Sequence, residues 1–365
     1  MFSSCQPLRL VPRKLSLTTR SLHSDIAFAF DIDGVLLRSK EPIPQASEAL
    51  KLCQENKIPF ILLTNGGGTL ENQRTAFMSD VLRVPLSPSQ IIQSHTPFKT
   101  LVSQYKKVLA VGSPTVRDVA ETYGFEKVVH PMDIVRYEPS IAPFSGTSPE
   151  RLMEITREIP GLDKEPFEAI LVFNDPRDWG ADIQIILDIL NSEKGMLNTA
   201  RPSKQVADLG KPSVPIYFSN NDLLWANQYK LNRIGQGAFR TVIEKLYSEI
   251  NFGAQLQNTI IGKPTRVTYD FAHHILINWR EKLASGSKED IPLPALGVAP
   301  ETSPFRKVFM VGDNPASDII GAHNYGWSTC LVRSGVYRDG DKLPCEPTII
   351  AHNVLDAVRR AIASV

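Results

Sequence analysis

The sequence predicts an α/β protein, built on a Rossmann-like parallel sheet with a second α/β unit inserted into it. Short apolar segments alternate with segments of helical periodicity, as expected for parallel strands that helices cover on both faces. Several apolar segments near the two ends of the chain lead into aspartate, threonine or lysine, whereas the segments in the middle lack aspartate-rich ends. The 365 residues also exceed the usual size of one hydrophobic core. We therefore expect one sheet with functional residues at its edge and one inserted domain.

The composition is that of an ordinary soluble globular protein, with 42% hydrophobic and 22% charged residues. No segment is long and apolar enough to span a bilayer. A net charge of +1 argues against a surface that binds nucleic acid over the whole protein, although a local basic patch is compatible with it. Four cysteines are scattered along the chain, at Cys5, Cys53, Cys330 and Cys345. They lack the spacing of a zinc or dithiol site, so they indicate free thiols in a reducing compartment.

Residues 1–24 differ in kind from the rest of the chain. They hold four basic residues, several serines and threonines, and no acid before Asp25. This composition is typical of a mitochondrial presequence, so we expect the protein in mitochondria, in the matrix. The alternative is a disordered basic tail. In either case residues 1–24 are excluded from the fold.

The first strand is predicted at Ile26–Phe30, where every residue is apolar, as in a central strand covered on both faces. It delivers Asp31 and Asp33 to its carboxyl end, which is where ligands bind in open α/β sheets. Both carboxylates point the same way if the strand continues, or diverge around a common point if Gly34 turns the chain. The alternative interpretation is an Asx turn that closes the strand, and the aspartates alone do not decide.

A second apolar strand is predicted at residues 58–63, after a helix that Pro44 opens. It ends in Thr64 and Asn65, followed by three glycines at 66–68. A hydroxyl, a glycine turn and a new helix form an anion site when backbone N–H groups at the helix start face the ligand. The glycines alone also fit a flexible turn.

The middle of the chain continues the alternation without aspartate-rich strand ends. Strands are predicted from Lys107 and within residues 167–174 and 214–221, and helices at 116–123, after Gly180 and at 236–250. We interpret residues 107–257 as an α/β domain inserted into a core formed by residues 25–106 and 258–365. A proline-bearing polar stretch, roughly residues 131–166, is predicted to be a long surface loop.

The last part of the chain contains a helix, an insertion and the closing elements of the first sheet. The helix would bury Phe271, Ile275, Leu276 and Trp279. Residues 285–304 are rich in proline, glycine and serine and lack periodicity, so we predict an exposed insertion. A strand in TCLVRSG and a helix at about residues 354–362 would complete the sheet.

Four apolar strands thus end in residues that suit phosphoryl transfer. Carboxylates are hard oxygen ligands for Mg²⁺, which substrate phosphate then completes. A lysine and a hydroxyl neutralise and orient phosphate oxygens. The strand-end residues are Asp31 and Asp33, Thr64, Lys263, and Asp313 with Asp318.

These motifs resemble the haloacid dehalogenase-like (HAD) hydrolase superfamily. DIDGV, a strand-end threonine, an isolated lysine and GDNPASD occur in that family's order. The forms TNGGG and GDNPASDIIGA, and the insertion between Thr64 and Lys263, resemble subclass IIA, which carries a large α/β cap of the C2 type. NDPRDW and SNNDLLW resemble the mitochondrial branch typified by the cat eye syndrome critical region protein 5. The resemblance implies a HAD core with a C2 cap over residues 107–257.

The resemblance also implies catalytic roles. Asp31 would be the nucleophile that forms an aspartyl phosphate, and Asp33 the general acid and base. Thr64, Asn65 and Lys263 would bind the transferring phosphoryl group. The implied activity is that of a phosphatase that hydrolyses a small phosphomonoester.

A magnesium site is implied in the same way. Mg²⁺ would be bound by the Asp31 carboxylate, the Asp33 backbone carbonyl and Asp313, with Asp318 in supporting coordination or orientation. The expected cofactor is therefore Mg²⁺, and the expected partner is a small phosphorylated metabolite.

The cap residues carry a weaker signal. Asn220, Asn221 and Asp222 either face the phosphate site as substrate contacts or cap the segment that follows. Trp179 and Trp225 are expected in core or hinge packing. A homo-oligomer that forms through the cap is a further expectation.

A second function stays open beside the phosphatase. The chain could be a binding or scaffold protein that has kept the site but uses it little, in mitochondria and linked to glycerophospholipid metabolism. The intact acids favour the enzyme.

Overall fold

The structure is a computed structural model that describes residues 25–202, 209–225, 229–286 and 292–365. The predicted presequence lies outside the described residues. The strands of the described part are β1 Ile26–Phe30, β2 Leu37–Arg38, β3 Glu41–Pro42, β4 Phe60–Leu63, β5 Ile91–Ile92, β6 Lys107–Val111, β7 Lys127–Val129, β8 Ala169–Val172, β9 Ile216–Phe218, β10 Leu224–Trp225, β11 Arg233–Ile234, β12 Thr259–Ile260, β13 Lys307–Gly312, β14 Ser328–Val332 and β15 Ile349–Ala351. Its α-helices are α1 Ala46–Glu55, α2 Glu71–Leu82, α3 Val116–Tyr123, α4 Pro131–Tyr137, α5 Pro149–Ile155, α6 Trp179–Leu190, α7 Gln236–Ile250, α8 Arg266–Ser285, α9 Ile320–Tyr325 and α10 Val354–Ala363.

The core sheet is parallel, with the strand order β15-β14-β13-β1-β4-β5. Its central strand β1 is buried along its whole length. Phe28 and Phe30 pack with α1, α2 and α10, whereas Ala27 and Ala29 lie in a separate cluster with α8 and α9. Every position of β1 is therefore apolar because helices cover both faces of the sheet.

The cap has its own parallel sheet, with the order β12-β9-β8-β6-β7. One hydrophobic cluster joins this sheet to α4, α6 and α7, and another joins it to α3. The predicted fold class, a parallel-sheet core with an inserted α/β cap, is confirmed.

The strand before Lys263 was wrongly predicted to belong to the core sheet. Thr259 and Ile260 pair with Tyr217 and Phe218 of β9, so β12 is the edge strand of the cap sheet. A short apolar strand carries no signal of which sheet it joins, because only its pairing partner decides that. Lys263 therefore reaches the core from the connection that follows the cap sheet.

The surface loop predicted at residues 131–166 was also wrong, because this stretch contains α4 and α5. Pro131 and Pro149 begin these helices, at the position where a missing N–H costs nothing. His130 and Ser148 cap them by accepting hydrogen bonds from backbone N–H groups. The prolines mark helix starts here instead of loops.

The insertion after α8 is irregular, as predicted, and mostly exposed over its described residues 292–304. Two adjacent histidines of α8 hold it. His273 Nε2 lies 2.9 Å from Ser303 Oγ, and His274 Nε2 lies 2.9 Å from the Val298 carbonyl oxygen. These histidines therefore hold a surface segment against α8.

Cysteine and membrane features are simple in the described part of the chain. Cys53, Cys330 and Cys345 are free thiols there, and Cys5 lies outside it. None of the described helices combines the length and apolar character that crossing a membrane requires.

Candidate active site

β1 ends at the predicted nucleophile, and the chain then turns. The Asp31 N–H still donates to the Val311 carbonyl, at 2.9 Å, as a continuation of the strand. Three N–H groups of the next turn then donate to the Ile32 carbonyl, and Gly34 adopts a φ of 86°, which favours glycine. Asp31 is left buried and Asp33 exposed, so the two carboxylates diverge at this turn.

Lys263 joins two of the predicted carboxylates. Its Nζ donates to Asp31 Oδ1 at 2.7 Å and to Asp318 Oδ1 at 2.6 Å. Lys263 is only 2% exposed, and a buried ammonium group requires such partners. Although burial lowers it, attraction to Asp31 and Asp318 raises the pKa of Lys263 above its ordinary value. The lysine is therefore charged.

Asp313 follows β13 and is held on three sides. Its Oδ2 accepts the Val336 N–H at 2.6 Å. Gly34 and Gly335 lie against the same carboxylate, and a Cβ at either position would collide with it. The loop after β14 therefore belongs to the site. Sequence reasoning missed it, and the only available signal was the small residues that end TCLVRSG.

Three buried carboxylates form a group that fits a divalent cation. Asp31, Asp313 and Asp318 each offer an oxygen, and these oxygens lie within 4.8 Å of one another. Lys263 supplies one positive charge to this group. Burial and repulsion by Asp318 raise the pKa of Asp313 to about 7, and burial also raises the pKa of Asp31 well above its usual range. This hard oxygen set suits Mg²⁺, whose charge would favour the ionised carboxylates.

Asp33 and Thr64 lie on either side of the first glycine of TNGGG. A Cβ built on Gly66 would lie 3.3 Å from Thr64 Oγ1 and 3.9 Å from Asp33 Oδ2. The Gly66 N–H donates to Thr64 Oγ1 at 3.0 Å, so it is used within the loop. The surrounding protein removes part of the hydration of Asp33 and raises its pKa, against the attraction of Arg74 and Lys263.

Asn65 connects the core to the predicted cap residues. Its Nδ2 donates to Asp222 Oδ2 at 3.1 Å and to the Lys263 carbonyl at 2.9 Å, while its Oδ1 accepts the Lys263 N–H at 2.8 Å. Asn220 Nδ2 donates to the Asn65 carbonyl at 3.2 Å. Asn221 is only partly buried, and no partner is found for its Oδ1 among the described residues. Asn220 and Asp222 therefore lie at the core side of the cap.

The last glycine of TNGGG also contacts the cap. A Cβ at Gly68 would collide with the amide of Asn174, and Thr115 Oγ1 donates to the Gly68 carbonyl at 3.1 Å. Asn174 Oδ1 accepts the Ser113 N–H at 2.8 Å. Asn174 is the first residue of NDPRDW, so this motif supports the contact between cap and core.

A buried polar group fastens the cap to the core beside this turn, and we call Glu71, His95 and Tyr123 the clasp. Tyr123 of α3 donates its O–H to Glu71 Oε1 at 2.6 Å and lies 2.8 Å from His95 Nδ1. Because that O–H is donated to Glu71, His95 Nδ1 carries the hydrogen and its Nε2 is an acceptor. A Cβ at Gly67 would lie 3.2 Å from that Nε2. The clasp therefore contacts the glycine turn of the site.

The clasp was not predicted from the sequence. His95 is fully buried, and burial lowers its pKa to about 4, so it is neutral at physiological pH. No partner is found for its Nε2 among the described residues. The only sequence signal is a polar run, QSHT, directly after an apolar pair.

Two family descriptions match the chain. The description of haloacid dehalogenase-like hydrolases matches residues 28–126, and a HAD-hydrolase-like description matches residues 260–357. The first match contains Asp31 and Thr64, and the second contains Lys263.

Two relatives match nearly the whole chain. A mitochondrial hydrolase of Saccharomyces cerevisiae is 62% identical over 340 residues, which cover 92% of this chain and 95% of the relative. A cardiolipin synthase (CMP-forming) and mitochondrial hydrolase fusion protein of Schizosaccharomyces pombe is 38% identical over 355 residues, which cover 95% of this chain and 54% of the relative. The chain thus spans about half of the fusion protein.

Solved structures share the fold. NagD from Escherichia coli K-12 superposes with a TM-score of 0.52 at 18% identity, over 90% of this chain and 97% of NagD. At that identity the likeness shows the fold alone.

Proposed function

The chain belongs to the haloacid dehalogenase-like hydrolase family, and on this premise we propose that it is a magnesium-dependent phosphatase of a phosphomonoester. The observation that carries the proposal is the contact of buried Lys263 with Asp31 and Asp318, beside Asp313. A carboxylate nucleophile needs a nearby positive charge to approach a phosphate dianion, and Lys263 is placed to supply it.

The first step transfers the phosphoryl group to the protein. An Asp31 carboxylate oxygen attacks phosphorus, and the bond between phosphorus and the ester oxygen breaks. Asp33 gives its proton to the departing alkoxide, so that an alcohol leaves and an aspartyl phosphate remains. The raised pKa of Asp33 favours the protonated form that this step requires.

The second step releases phosphate. Asp33, now ionised, takes a proton from a water molecule whose oxygen attacks phosphorus. The bond to Asp31 breaks, and inorganic phosphate leaves. Asp31 is again a carboxylate and Asp33 is again protonated, so the cycle closes.

The remaining residues bind and orient the phosphoryl group. Thr64 and Lys263 hold its oxygens, and Asn65 holds Lys263 through two hydrogen bonds to its backbone. Mg²⁺, bound by the Asp31 and Asp313 carboxylates and the Asp33 carbonyl, would neutralise phosphoryl charge. Asp318, held by Lys263 and the Asn314 N–H, orients this set from behind.

Asn220, Asn221 and Asp222 would help to select the substrate from the cap. Their support is the contact of Asn220 and Asp222 with Asn65, the residue after Thr64. Burial raises the pKa of Asp222, although Asn65 and Lys263 oppose this. The substrate group near it would be a hydroxyl or amine that can donate to a carboxylate.

We also infer a mitochondrial location, in the matrix, and a place in glycerophospholipid metabolism. The location is supported by the name of the Saccharomyces cerevisiae relative and by the composition of residues 1–24. The metabolic role is supported by the Schizosaccharomyces pombe relative, in which a related chain is joined to a cardiolipin synthase.

A panel of phosphate esters, including p-nitrophenyl phosphate, tests the function. The purified protein should release phosphate with Mg²⁺, and chelation should abolish this release. Asp313→Asn should lose at least about a hundredfold in turnover, because it removes a metal ligand. Asp118→Asn, at an exposed position of the cap, is the control and should keep full turnover.

The scaffold alternative makes the opposite prediction. A folded protein that hydrolyses no ester with Mg²⁺ would contradict the phosphatase. Turnover that survives both chelation and Asp313→Asn would contradict the assigned metal site.

A further inference from the structure

An exposed apolar hairpin projects from the cap. β10 and β11 pair in antiparallel fashion, and we call the described residues 223–225 and 229–234 the cap hairpin. Its large apolar side chains are between 45% and 65% exposed, namely Leu223, Leu224, Trp225, Tyr229, Leu231 and Ile234. Clustered exposure of this kind marks an interaction surface. Trp225 lies outside the hydrophobic core, which leaves the hinge as the part of the expectation that still stands. Trp179 packs on Phe239 with ring centroids 5.2 Å apart.

The hairpin is also positively charged. The described residues of the cap hairpin include two basic residues, Lys230 and Arg233, and no acid, although the whole chain has a net charge of only +1. Lys230 and Arg233 are exposed on the hairpin itself. The Arg233 guanidinium lies 4.8 Å from the centre of the Tyr229 ring, so an aromatic ring and a cation occupy the same patch.

The base of the hairpin lies at the junction of cap and core. Leu223 directly follows Asp222, whose carboxylate accepts a hydrogen bond from Asn65 beside Thr64. The Gly235 N–H donates to the Leu223 carbonyl at 2.9 Å and closes the base. A surface that binds the hairpin is therefore brought close to the residues assigned to the phosphate.

We propose that the cap hairpin docks the protein on a membrane surface that contains anionic phospholipid. Tryptophan and tyrosine favour the boundary between headgroups and acyl chains, and leucine and isoleucine insert beyond it. Lysine and arginine add attraction to anionic headgroups. The boundary of an anionic membrane binds a surface that combines aromatic, aliphatic and basic residues and lacks acidic ones.

A second copy of the chain fits the hairpin less well. A two-fold contact between hairpins would bring Lys230 and Arg233 of each copy toward the same pair of the other. The described residues of the cap hairpin include no acid to offset that charge. Charge complementarity therefore selects an anionic surface as the occupant.

Membrane docking also indicates a substrate class for the enzyme, and this inference about the substrate rests on the proposed phosphatase function. The substrate is a phosphomonoester on the headgroup of a glycerolipid. The bonds broken and formed are those of the two steps above, and the product alcohol stays in the membrane as a lipid hydroxyl. An enzyme that supplies such a substrate must transfer either a phosphorylated headgroup to a lipid or a phosphoryl group to a headgroup hydroxyl.

Fluorescence quenching by brominated lipid tests docking without any need for turnover. Trp225 is one of four tryptophans, so the difference between wild type and Trp225→Phe reports on the hairpin. Vesicles of phosphatidylglycerol and brominated phosphatidylcholine should quench the Trp225 component, and brominated phosphatidylcholine alone should not. Both proteins carry the predicted presequence, so any binding of the presequence to the vesicles cancels when the two signals are subtracted.

Vesicle flotation with matched variants measures the contribution of each group. Lys230→Gln with Arg233→Gln should lower the partition coefficient about thirtyfold, at roughly fivefold per charge. Leu224→Ser with Leu231→Ser should lower it by a similar factor. Phe144→Ser, at a 97% exposed aromatic elsewhere in the cap, and Lys51→Glu on α1 should leave it unchanged. Turnover of p-nitrophenyl phosphate should stay within twofold of wild type in all four variants.

Several results would overturn the proposal. An unquenched Trp225 component, or equal partition of the hairpin variants and wild type, would show that the hairpin does not meet the membrane. A dimer in light scattering that Leu224→Ser with Leu231→Ser turns into a monomer would assign the hairpin to self-association. Quenching without turnover of any ester would preserve docking and defeat the phosphatase, so the two proposals fail separately.

Discussion

Asp33 and Asp31 are two residues apart but differ in their surroundings, one exposed and the other buried against Lys263. In the proposed mechanism, that difference would let Asp33 exchange protons with substrate and water while Asp31 holds the phosphoryl group. Asp33→Asn should therefore lower turnover about 10² to 10⁴ fold and leave phosphorylation of Asp31 by a reactive ester in place. The phosphoenzyme should accumulate in acid-quenched samples. Its absence would contradict this division of roles.

Asp182 of α6 links stability to pH. It is buried, and burial together with Asp178 raises its pKa to about 8. The unfolded chain loses this proton near the ordinary pKa of 3.8, whereas the folded protein keeps it to about pH 8. The folded state therefore binds more protons across that window, and stability falls as the pH rises through it.

Removal of that titration should stabilise the protein at alkaline pH. At pH 8 the free energy of unfolding of Asp182→Asn should exceed that of wild type by about 1 to 3 kcal/mol. This gain should shrink toward pH 4. Denaturant titrations at both values measure it. Asp118→Asn, exposed on α3, is the control and should leave the pH dependence unchanged. A gain of equal size at both pH values would show that repacking, not charge, is responsible.

The sequence indicated the charged residues of the site better than their supports. Asp31, Lys263 and Asp313 could be placed together because each follows an apolar segment in a recognisable order. Val336 could not be assigned to the site from the sequence, because it contributes only a backbone N–H, which almost any residue carries. His95 could not either, because a buried polar residue gives no periodic signal.

The clasp joins helices α2 and α3, so its removal should loosen the packing between these two helices. Tyr123→Phe removes the O–H that α3 gives to Glu71 of α2 and leaves His95 Nδ1 without its partner. It should cost about 1 kcal/mol of stability, raise hydrogen exchange over residues 66–70 and lower kcat/KM. Tyr105→Phe, which loses only its contact with the Tyr217 hydroxyl, is the matched control. It should cost similar stability without changing exchange in the glycine turn, and equal exchange in both variants would exclude a special role for the clasp.

Helices with a clear apolar face were predicted within a residue or two, including α1, α3 and α7. Strands of two or three residues, such as β5, β7 and β15, were missed because so few residues show no alternation. α4 and α5 were missed because their prolines were interpreted as loop signals. The short strands are decided by their pairing partners, which is tertiary information. The starts of α4 and α5 are decided locally, by the N-cap residues His130 and Ser148 directly before the prolines.

The whole molecule has a core and a cap that meet through specific contacts. Asn65 binds Asp222, Gly68 lies against Asn174, and Glu71 binds Tyr123. The sequence predicted that an α/β cap is inserted, but β12 shows that the cap sheet extends nearer to Lys263 than the sequence suggested. The path of the chain between two sheets depends on strand pairing, which composition does not encode.

Cap closure over the phosphate site should be observable in solution. Beryllofluoride with Mg²⁺ mimics the phosphoryl group, and water exclusion requires the cap to close over it. Residues 220–225 should then be protected from hydrogen exchange, together with the ends of β1 and β13. Protection confined to the core strands would show that another cap segment faces the substrate, and Asn220 to Asp222 would be structural.

We propose that Asp31 carries the phosphoryl group, and peptide mapping of an acid-quenched phosphoenzyme would locate that group on the chain. The protein is mixed with a reactive ester and Mg²⁺, quenched, digested and examined for a hydroxylamine-sensitive phosphate. We expect the phosphate on Asp31 in wild type, more of it in Asp33→Asn, and none in Asp31→Asn, which should also lose turnover. Full turnover in Asp31→Asn, or a phosphate found on another residue, would contradict the account.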